Sequence, residues 1–382
     1  MKYGNLIHNG LSRGEDNRVV NLGDAFEIIA IDEIYERMGI SREQIVEIDM
    51  YELDKYNGEP VILPINFMLA TQSMGANILK MSQNIIPIFL GVTFGQTRFT
   101  KEQLGLLKNS EPIGCRDERT KNILLSGGVK AYLGGCIVST ITRKSKKRKR
   151  KVAFIDVPLK VHKYIPEEIR RDGLIMHHEF VVSYEEIRKD NSLKNRARQR
   201  IDFYAENIRM IVTSRFHAAV IGLALGIPVI LVAENNFYKF SWLSKLLPFY
   251  NSADAASIDW NPKAVNIDDI KGNMIEIAIS RIKNANALYN LSTVLDNSLS
   301  NESRCDDNAL LYYSGAIDYI KFNWKKDDEI QYSFWGINEN TTHINDFIKQ
   351  NYPKAKLTKI YDGLRTVIFE GMQSETPTKE SM

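Results

Sequence analysis

Cysteine is scarce. Three occur in 382 residues, Cys115, Cys136 and Cys305, an odd and scattered set. A disulfide framework is therefore excluded, and the absence of any C-x-x-C pair or Cys/His cluster leaves no zinc motif. Such a chain suits a reducing compartment, and the expected location is the cytoplasm. Long apolar runs are missing too, since no stretch approaches the roughly 20 residues of a membrane span. Residues Met1–Gly10 lack the apolar core of a secretory signal. No repeat period is evident. Charge of one sign is not in large excess either, the net being +3. Eight positive charges are concentrated in Arg143–Lys151 (RKSKKRKRK), and the remainder is mildly acidic, at −5 without them. A general basic face for nucleic acid is not indicated.

What is present is the composition of a soluble globular protein, 44% apolar and 25% charged. The length suits two domains with an appendage. One stretch stands out: Met210–Glu234, MIVTSRFHAAVIGLALGIPVILVAE. Met210–Thr213 is rich in β-branched residues and reads as a buried strand. Ser214 is placed to cap a helix over Phe216–Leu225, Gly226 suits its left-handed C-terminal position, and Pro228 blocks continuation. Pro228–Ala233 is a second buried strand. Strand, helix, strand implies parallel pairing by a right-handed crossover. Arg215 and His217 fall at the strand-to-helix junction, the edge where open α/β sheets bind ligands. A helix start there favours an anion. The structural alternative is an arginine paired with a carboxylate and a histidine without chemistry.

Earlier in the chain, Asn21–Asp24 reads as a loop, followed by a helix over Ala25–Met38 that ends at Gly39. Asp24 either caps that helix or accepts hydrogen bonds from a sugar hydroxyl. Strands are expected at 44–48, 60–64 and 85–90. The last runs into a Gly-rich exit containing Gln96. A strand at 112–115 leads into Arg116-Asp117, a short helix at 121–125 and a strand at 131–133. Arg116-Asp117 is either an ion pair or cap fixing this turn, or a substrate contact.

Arg143–Lys151 reads as a solvated interdomain segment, or as an electrostatic contact for an anionic membrane surface or lipid-diphosphate-linked sugar. A strand at 151–157 follows, with Lys160, His162 and Lys163 at its exit. Gly173–Glu179 is another strand and exit. Its adjacent His177 and His178 point to opposite sides when extended, so they chelate poorly together. A helix spans 193–207. The aromatics of Asn235–Tyr250 suggest packing or sugar stacking, with a helix-like piece at 241–247. A long helix covers 268–291. The tail offers a strand at 330–335, a loop with Gly336, a helix at 341–351 and a strand at 357–361 ending at Asp362. This resembles half a nucleotide-binding fold without its glycine fingerprint.

The string T-S-R-F-H-A-A, then a helix, then G-I-P-V-I resembles the signature of the polysaccharide pyruvyl transferase family. The N-x-G-D helix start and the R-D turn support it, and the likeness covers about residues 15–285. It implies an α/β chain of two Rossmann-like domains in a GT-B-like clamshell. In this chain those are residues 1–142 on the acceptor side and 152–300 on the donor side, joined by a basic linker at 143–151. A small appended β-α-β module at 309–372 and a disordered tail at 373–382 lie beyond the likeness. The implied reaction transfers pyruvate from phosphoenolpyruvate to a saccharide of a capsular, exopolysaccharide or lipid-linked precursor, forming a cyclic ketal and releasing phosphate. Phosphoenolpyruvate is then a co-substrate, with no cofactor and no metal. His217 is the acid or the base, with Arg215 beside it. Arg215, Lys160 and Arg116 are donor-binding candidates, and Asp24, Asn21, Gln96 and Glu234 acceptor-binding candidates. The family pattern implies an arginine at the second domain's strand exit, where this chain has Lys160. A lysine binds phosphate without bidentate geometry. Partners are phosphoenolpyruvate and the saccharide acceptor, with no nucleic acid. Arg143–Lys151 is the candidate for peripheral contact with the inner face of a membrane. The alternatives are a GT-B-type glycosyltransferase using a nucleotide sugar, and a non-catalytic scaffold of a polysaccharide assembly complex.

Overall fold

The computed structural model describes all residues except 8–10, 13–16, 70–78, 146–149, 184, 187–191, 235–237, 300–319, 321–323, 336–338, 362–367 and 374–382. The chain forms two compact units, Met1–Lys283 and Asn284–Met382. The first unit opens with β1 (Lys2–Ile7), β2 (Asn17–Asn21), helix α1 (Leu22–Met38), β3 (Ile45–Asp49), β4 (Val61–Ile65) and β5 (Ile85–Phe89). Four of these strands make a parallel sheet in the order β3-β1-β4-β5. Helix α2 (Lys101–Asn109), β6 (Ile113–Cys115), α3 (Glu118–Ser126) and β7 (Ala131–Leu133) follow, with β6 and β7 paired in parallel. Leu6, Val61, Leu63, Ile65, Phe89, Phe94 and Ile113 fill the core beneath this sheet.

The other half of the unit has β8 (Lys151–Ile155), α4 (Glu167–Arg171), β9 (Gly173–Met176), β10 (Glu179–Ser183), α5 (Ser192–Asn207), β11 (Ile208–Thr213), α6 (Phe216–Ala224), β12 (Val229–Ala233) and β13 (Phe249–Asn251). Five strands form a second parallel sheet in the order β9-β8-β11-β12-β13. Two open parallel sheets with crossover helices are a mixed α/β arrangement of Rossmann-like character. The expected strand-helix-strand at 210–234 is present, with Gly226 at φ 63° past the helix end.

Two devices join the halves. Strand β10 lies outside the second sheet and pairs antiparallel with β2, from Glu179↔Asn21 to Ser183↔Asn17, and the Leu22 amide donates to the His178 carbonyl at 2.8 Å. Helix α7 (Asp268–Leu299) touches both halves through its opening turns. Lys271 Nζ donates to the carbonyls of Ile141 and Ala224, and Arg281 donates to those of Phe89 and Ser110. Both sheets thus belong to one compact unit.

Several sequence expectations need correction. Asn21–Asp24 is not a loop: Asn21 is the N-cap, its side chain accepting from the Gly23 amide at 2.9 Å, and Gly23 and Asp24 lie in the first turn of α1. The cap is therefore Asn21 rather than Asp24. Ser214 does not cap α6, whose N-cap is Arg215. The Ser214 hydroxyl is drawn to the Asp156 carbonyl at 2.6 Å instead. The strand read over 151–157 stops at Ile155, because Asp156 turns left-handed at φ 48°. The piece at 241–247 is a short 3-10 turn at Leu243–Lys245, with Trp242 buried. The basic segment is anchored at its start, where Arg143 pairs with Glu33 and Asp202, and at its end, where Lys151 opens β8. Residues 146–149 lie outside the described ones.

In the second unit, β14 (Gln331–Trp335), α8 (Glu339–Asn351) and β15 (Lys356–Tyr361) form a β-α-β with parallel strands. Ile320, Ile348 and Tyr352 are its buried core. The Gly336 loop, Asp362 and the tail from 374 fall outside the described residues. Among the described residues, no helix is long and apolar enough to cross a membrane.

Candidate active site

The site gathers where the first turns of α1 meet the start of α6. Arg215 and His217 come from the β11–α6 junction, Asp24 and Glu27 from α1, and Arg116 from the turn between β6 and α3. Helical spacing places Asp24 and Glu27, three apart, on one face. Gly23 permits the approach: a Cβ built there would fall 2.3 Å from His217 Nδ1. The glycine of N-x-G-D thus makes room for the imidazole.

Glu27, Arg116 and His217 form a tight triangle. Glu27 Oε1 lies 2.7 Å from Arg116 Nη1 and 3.0 Å from His217 Nε2, and Nη1 lies 3.1 Å from Nε2. Asp24 Oδ1 stands 3.9 Å from His217 Nδ1. Arg116 and Glu27 are only 3% and 1% exposed. The Cys136 thiol donates to Glu27 Oε1 at 3.8 Å. Arg116 also donates from Nε to Thr93 Oγ1 at 3.3 Å and stacks its guanidinium over the Phe216 ring. Asp117 is a cap rather than an ion-pair partner: its carboxylate accepts from the Thr120 amide at 2.8 Å and from the Thr93 hydroxyl at 2.7 Å.

Burial and charge set the protonation states. Burial, followed by the Arg116 charge, pushes His217 down to about 3, with Asp24 opposing. The imidazole is therefore neutral near pH 7. Burial works most strongly against the charge of Arg116, but Glu27, Cys136 and Asp24 together outweigh it and hold the guanidinium above its ordinary range. Burial, aided by Glu27, pushes the Cys136 thiol up to about 12, so it stays protonated. Glu27, Cys136 and His217 present ligand atoms within 4.8 Å of one another, a spacing a metal ion could span. The Arg116 guanidinium already supplies positive charge there, at hydrogen-bond distance from two of the three, and would repel a second cation.

A second layer holds Arg215. Its Nε donates to Asp156 Oδ2 at 2.8 Å and its Nη1 pairs with Glu179 Oε2 at 3.0 Å. Asp156 also binds His177 Nδ1 at 2.7 Å and accepts from the His178 amide at 3.3 Å. A left-handed non-glycine residue costs backbone energy, and here it aims one carboxylate at three partners. The His177/His178 pair does not share a ligand: His178 is buried against Tyr204, bonding its hydroxyl at 2.8 Å. Lys239 completes the positive field. Its pKa is lowered by burial first, then by the charges of Arg116 and Arg215. A lysine depressed by two neighbouring guanidinium charges marks a positive field suited to an anion.

The other candidates are placed differently. Lys160 and Glu234, read as donor and acceptor contacts, pair with each other at 3.2 Å and are largely exposed. Gln96 donates to Gln103 near the start of α2 at 3.3 Å. Sequence reasoning missed Glu27, Cys136, Asp156 and Lys239 as members of the site. Asp156 carried a signal, an acidic residue at the exit of the strand adjoining β11. Lys239 sits in an aromatic segment that reads as packing. Glu27 lies inside a helical run and gives no local sign of its partners.

A family model described as polysaccharide pyruvyl transferase matches residues 21–236, from the Asn21 cap to just beyond β12. No curated protein matches the chain. Among solved structures, an uncharacterized protein of Klebsiella pneumoniae is similar at 12% identity and a TM-score of 0.38, over 63% of this chain and 88% of that one. A structure of accessory secretory protein 1, 2 and 3 of Streptococcus pneumoniae is similar at 12% identity and a TM-score of 0.27, over 66% of this chain and 56% of that one. With the family model covering more than half of its length, and with the R-x-H junction, the N-x-G-D turn and the R-D turn drawn into one cluster, the chain belongs to the polysaccharide pyruvyl transferase family.

Proposed function

We propose that this protein transfers the pyruvyl group of phosphoenolpyruvate to two hydroxyls of a saccharide, forming a cyclic ketal and releasing phosphate. The observation that carries this reading is His217 at hydrogen-bond distance from Arg116, with Lys239 adding its charge and Arg215 acting in turn on Lys239. Phosphoenolpyruvate brings a phosphate and a carboxylate, and such a field suits both. Arg215 is the residue best placed to change partners, because one of its two carboxylates, Glu179, is half-exposed and a ligand anion can replace it.

The balance of the reaction fixes what His217 must do. Two acceptor hydroxyls lose protons. One proton goes to C3 of the enol, making the methyl group, and the other leaves with phosphate. C2 gains two C–O bonds to the sugar and loses its bond to the phosphate oxygen. A histidine that rests neutral begins as a base, so His217 takes the proton of the first hydroxyl and passes it to C3, where the enol π pair takes it up as that oxygen bonds C2. The negative charge of the bound donor raises the imidazole pKa, letting it hold that proton and deliver it to C3. Asp24 is positioned to orient the acceptor hydroxyl. The setting is the cytoplasmic side of polysaccharide assembly, with a free or lipid-linked saccharide as acceptor.

The test is phosphate release from phosphoenolpyruvate in the presence of a lipid-linked oligosaccharide pool. Release that requires acceptor, with the pyruvyl carbons recovered in the saccharide, is the expected result. His217→Asn should lower turnover by on the order of 10²- to 10⁴-fold without loss of fold. Full activity in that variant removes His217 from the chemistry. Absence of turnover, together with binding of a nucleotide diphosphate, would replace pyruvyl transfer by sugar transfer.

A further inference from the structure

Two neighbours make opposite demands on one nitrogen. His217 Nε2 lies 3.0 Å from Glu27 Oε1, which can only accept a hydrogen, and 3.1 Å from Arg116 Nη1, which can only donate one. Nε2 cannot meet both. Arg116 has a better acceptor at hand, since its Nη1 stands 2.7 Å from the same Glu27 oxygen, a charge-assisted bond. The unresolved contact is therefore between Nε2 and the carboxylate, which is satisfied when Nε2 carries the hydrogen. The other side of the ring agrees. Nδ1 rests against the first turn of α1 at Gly23, where the positive end of the helix dipole favours a lone pair over an N–H. Asp24 Oδ1, at 3.9 Å from Nδ1, is beyond direct hydrogen-bond distance.

We infer that Glu27 is a positioning residue for the reaction: it holds His217 in the Nε2–H tautomer and turns the Nδ1 lone pair toward Asp24 as the nitrogen that moves the proton. Glu27 touches neither donor nor acceptor and acts through His217, as the buried carboxylate of a hydrolase triad acts through its histidine. Arg116 and the Cys136 thiol also bond Glu27 Oε1 and orient it.

The kinetic part of the test rests on the pyruvyl-transfer reading, whereas the spectroscopic part does not. The full chain is labelled with 15N in its histidine rings, and the His217 signals are assigned by their loss in His217→Asn. Two-bond correlations then report which nitrogen bears the hydrogen. The wild-type protein should show Nε2–H and an unprotonated Nδ1 near pH 7. In Glu27→Gln the amide can donate to Nε2, so the Nδ1–H tautomer should gain population, and kcat should fall by on the order of 10²- to 10⁴-fold with KM for phosphoenolpyruvate nearly unchanged. Glu27→Asp, which keeps the carboxylate, should retain the wild-type tautomer and recover part of kcat. An Nδ1–H signal in the wild type overturns the inference, even if Glu27→Gln does not fold. So does a Glu27→Gln protein with unaltered tautomer and kcat. If the wild type shows no turnover with phosphoenolpyruvate yet displays the expected tautomers, the pyruvyl-transfer reading fails while the hold of Glu27 on the His217 tautomer stands.

Discussion

Arg116 and Arg215 reach the same histidine neighbourhood from different depths. Arg116 is sealed with Glu27 beneath the start of α6, and its side chain is 4% exposed. Arg215 is shared between Asp156 and Glu179, and its side chain is 36% exposed. Depth decides what each can do. A buried pair cannot let go, because releasing either partner strands a charge in a poorly solvated place. A half-exposed pair can exchange a carboxylate for a ligand anion at little cost, since water covers the difference. Arg116 therefore adds to burial in keeping His217 neutral, and on the proposed reading Arg215 is the one that can take a ligand anion.

The sharpest way to break this contrast is to remove each guanidinium while keeping its bulk. Arg116→Met should destabilise the fold by about 3–5 kcal/mol, read as a lowered urea midpoint, because Glu27 is left buried and uncompensated. Arg215→Met should cost under about 1 kcal/mol of stability while raising KM for the anionic donor. Equal losses of stability would erase the distinction between the two arginines.

Acid tests the same depth through histidine. Burial lowers both His178 and His217 to about 3, from an unfolded value near 6.5. Between those values the unfolded chain binds more protons than the native one, so stability falls as pH drops below about 6.5. Each histidine contributes a slope of roughly 1.4 kcal/mol per pH unit within the window. Urea titrations at pH 7, 6 and 5 give this slope, and a flat profile would mean that neither ring is held neutral by burial. His178→Asn should remove about half of it.

At the small end, Lys160→Ala and Glu234→Ala should each change stability by only about 0–1 kcal/mol, because their pair is exposed. An effect on donor KM as large as that of Arg215→Met would bring Lys160 back among the donor contacts. Otherwise it belongs to the rim.

How much of this could be read in advance follows the range of the interactions. The β11–α6–β12 unit was legible because its signals are local: β-branched strand residues, a glycine past the helix and a proline after it. The same holds for α1, although its true first turn begins earlier than the Asn21–Asp24 loop reading allowed. Ser214 was misjudged because a capping hydroxyl has competitors that only the fold reveals, here the Asp156 carbonyl from another strand. Glu27 was invisible for the same reason on a larger scale. Its partners lie 89 residues away at Arg116 and 190 at His217, and nothing within one helical turn announces them. Lys239 was hidden among aromatics whose packing role is real, as Trp242 shows.

The pairing of β10 with β2 also carries a consequence in time. Residue 21 must wait for residue 179 before its strand is complete. At a synthesis rate of about 5–20 residues per second, that wait is on the order of 8–30 s. During it the amino-terminal half emerges with β2 lacking its long partner and with the front end of α1 unclosed. The nascent chain therefore carries an unfinished strand edge for longer than a small domain needs to fold, and a holding chaperone would meet it there.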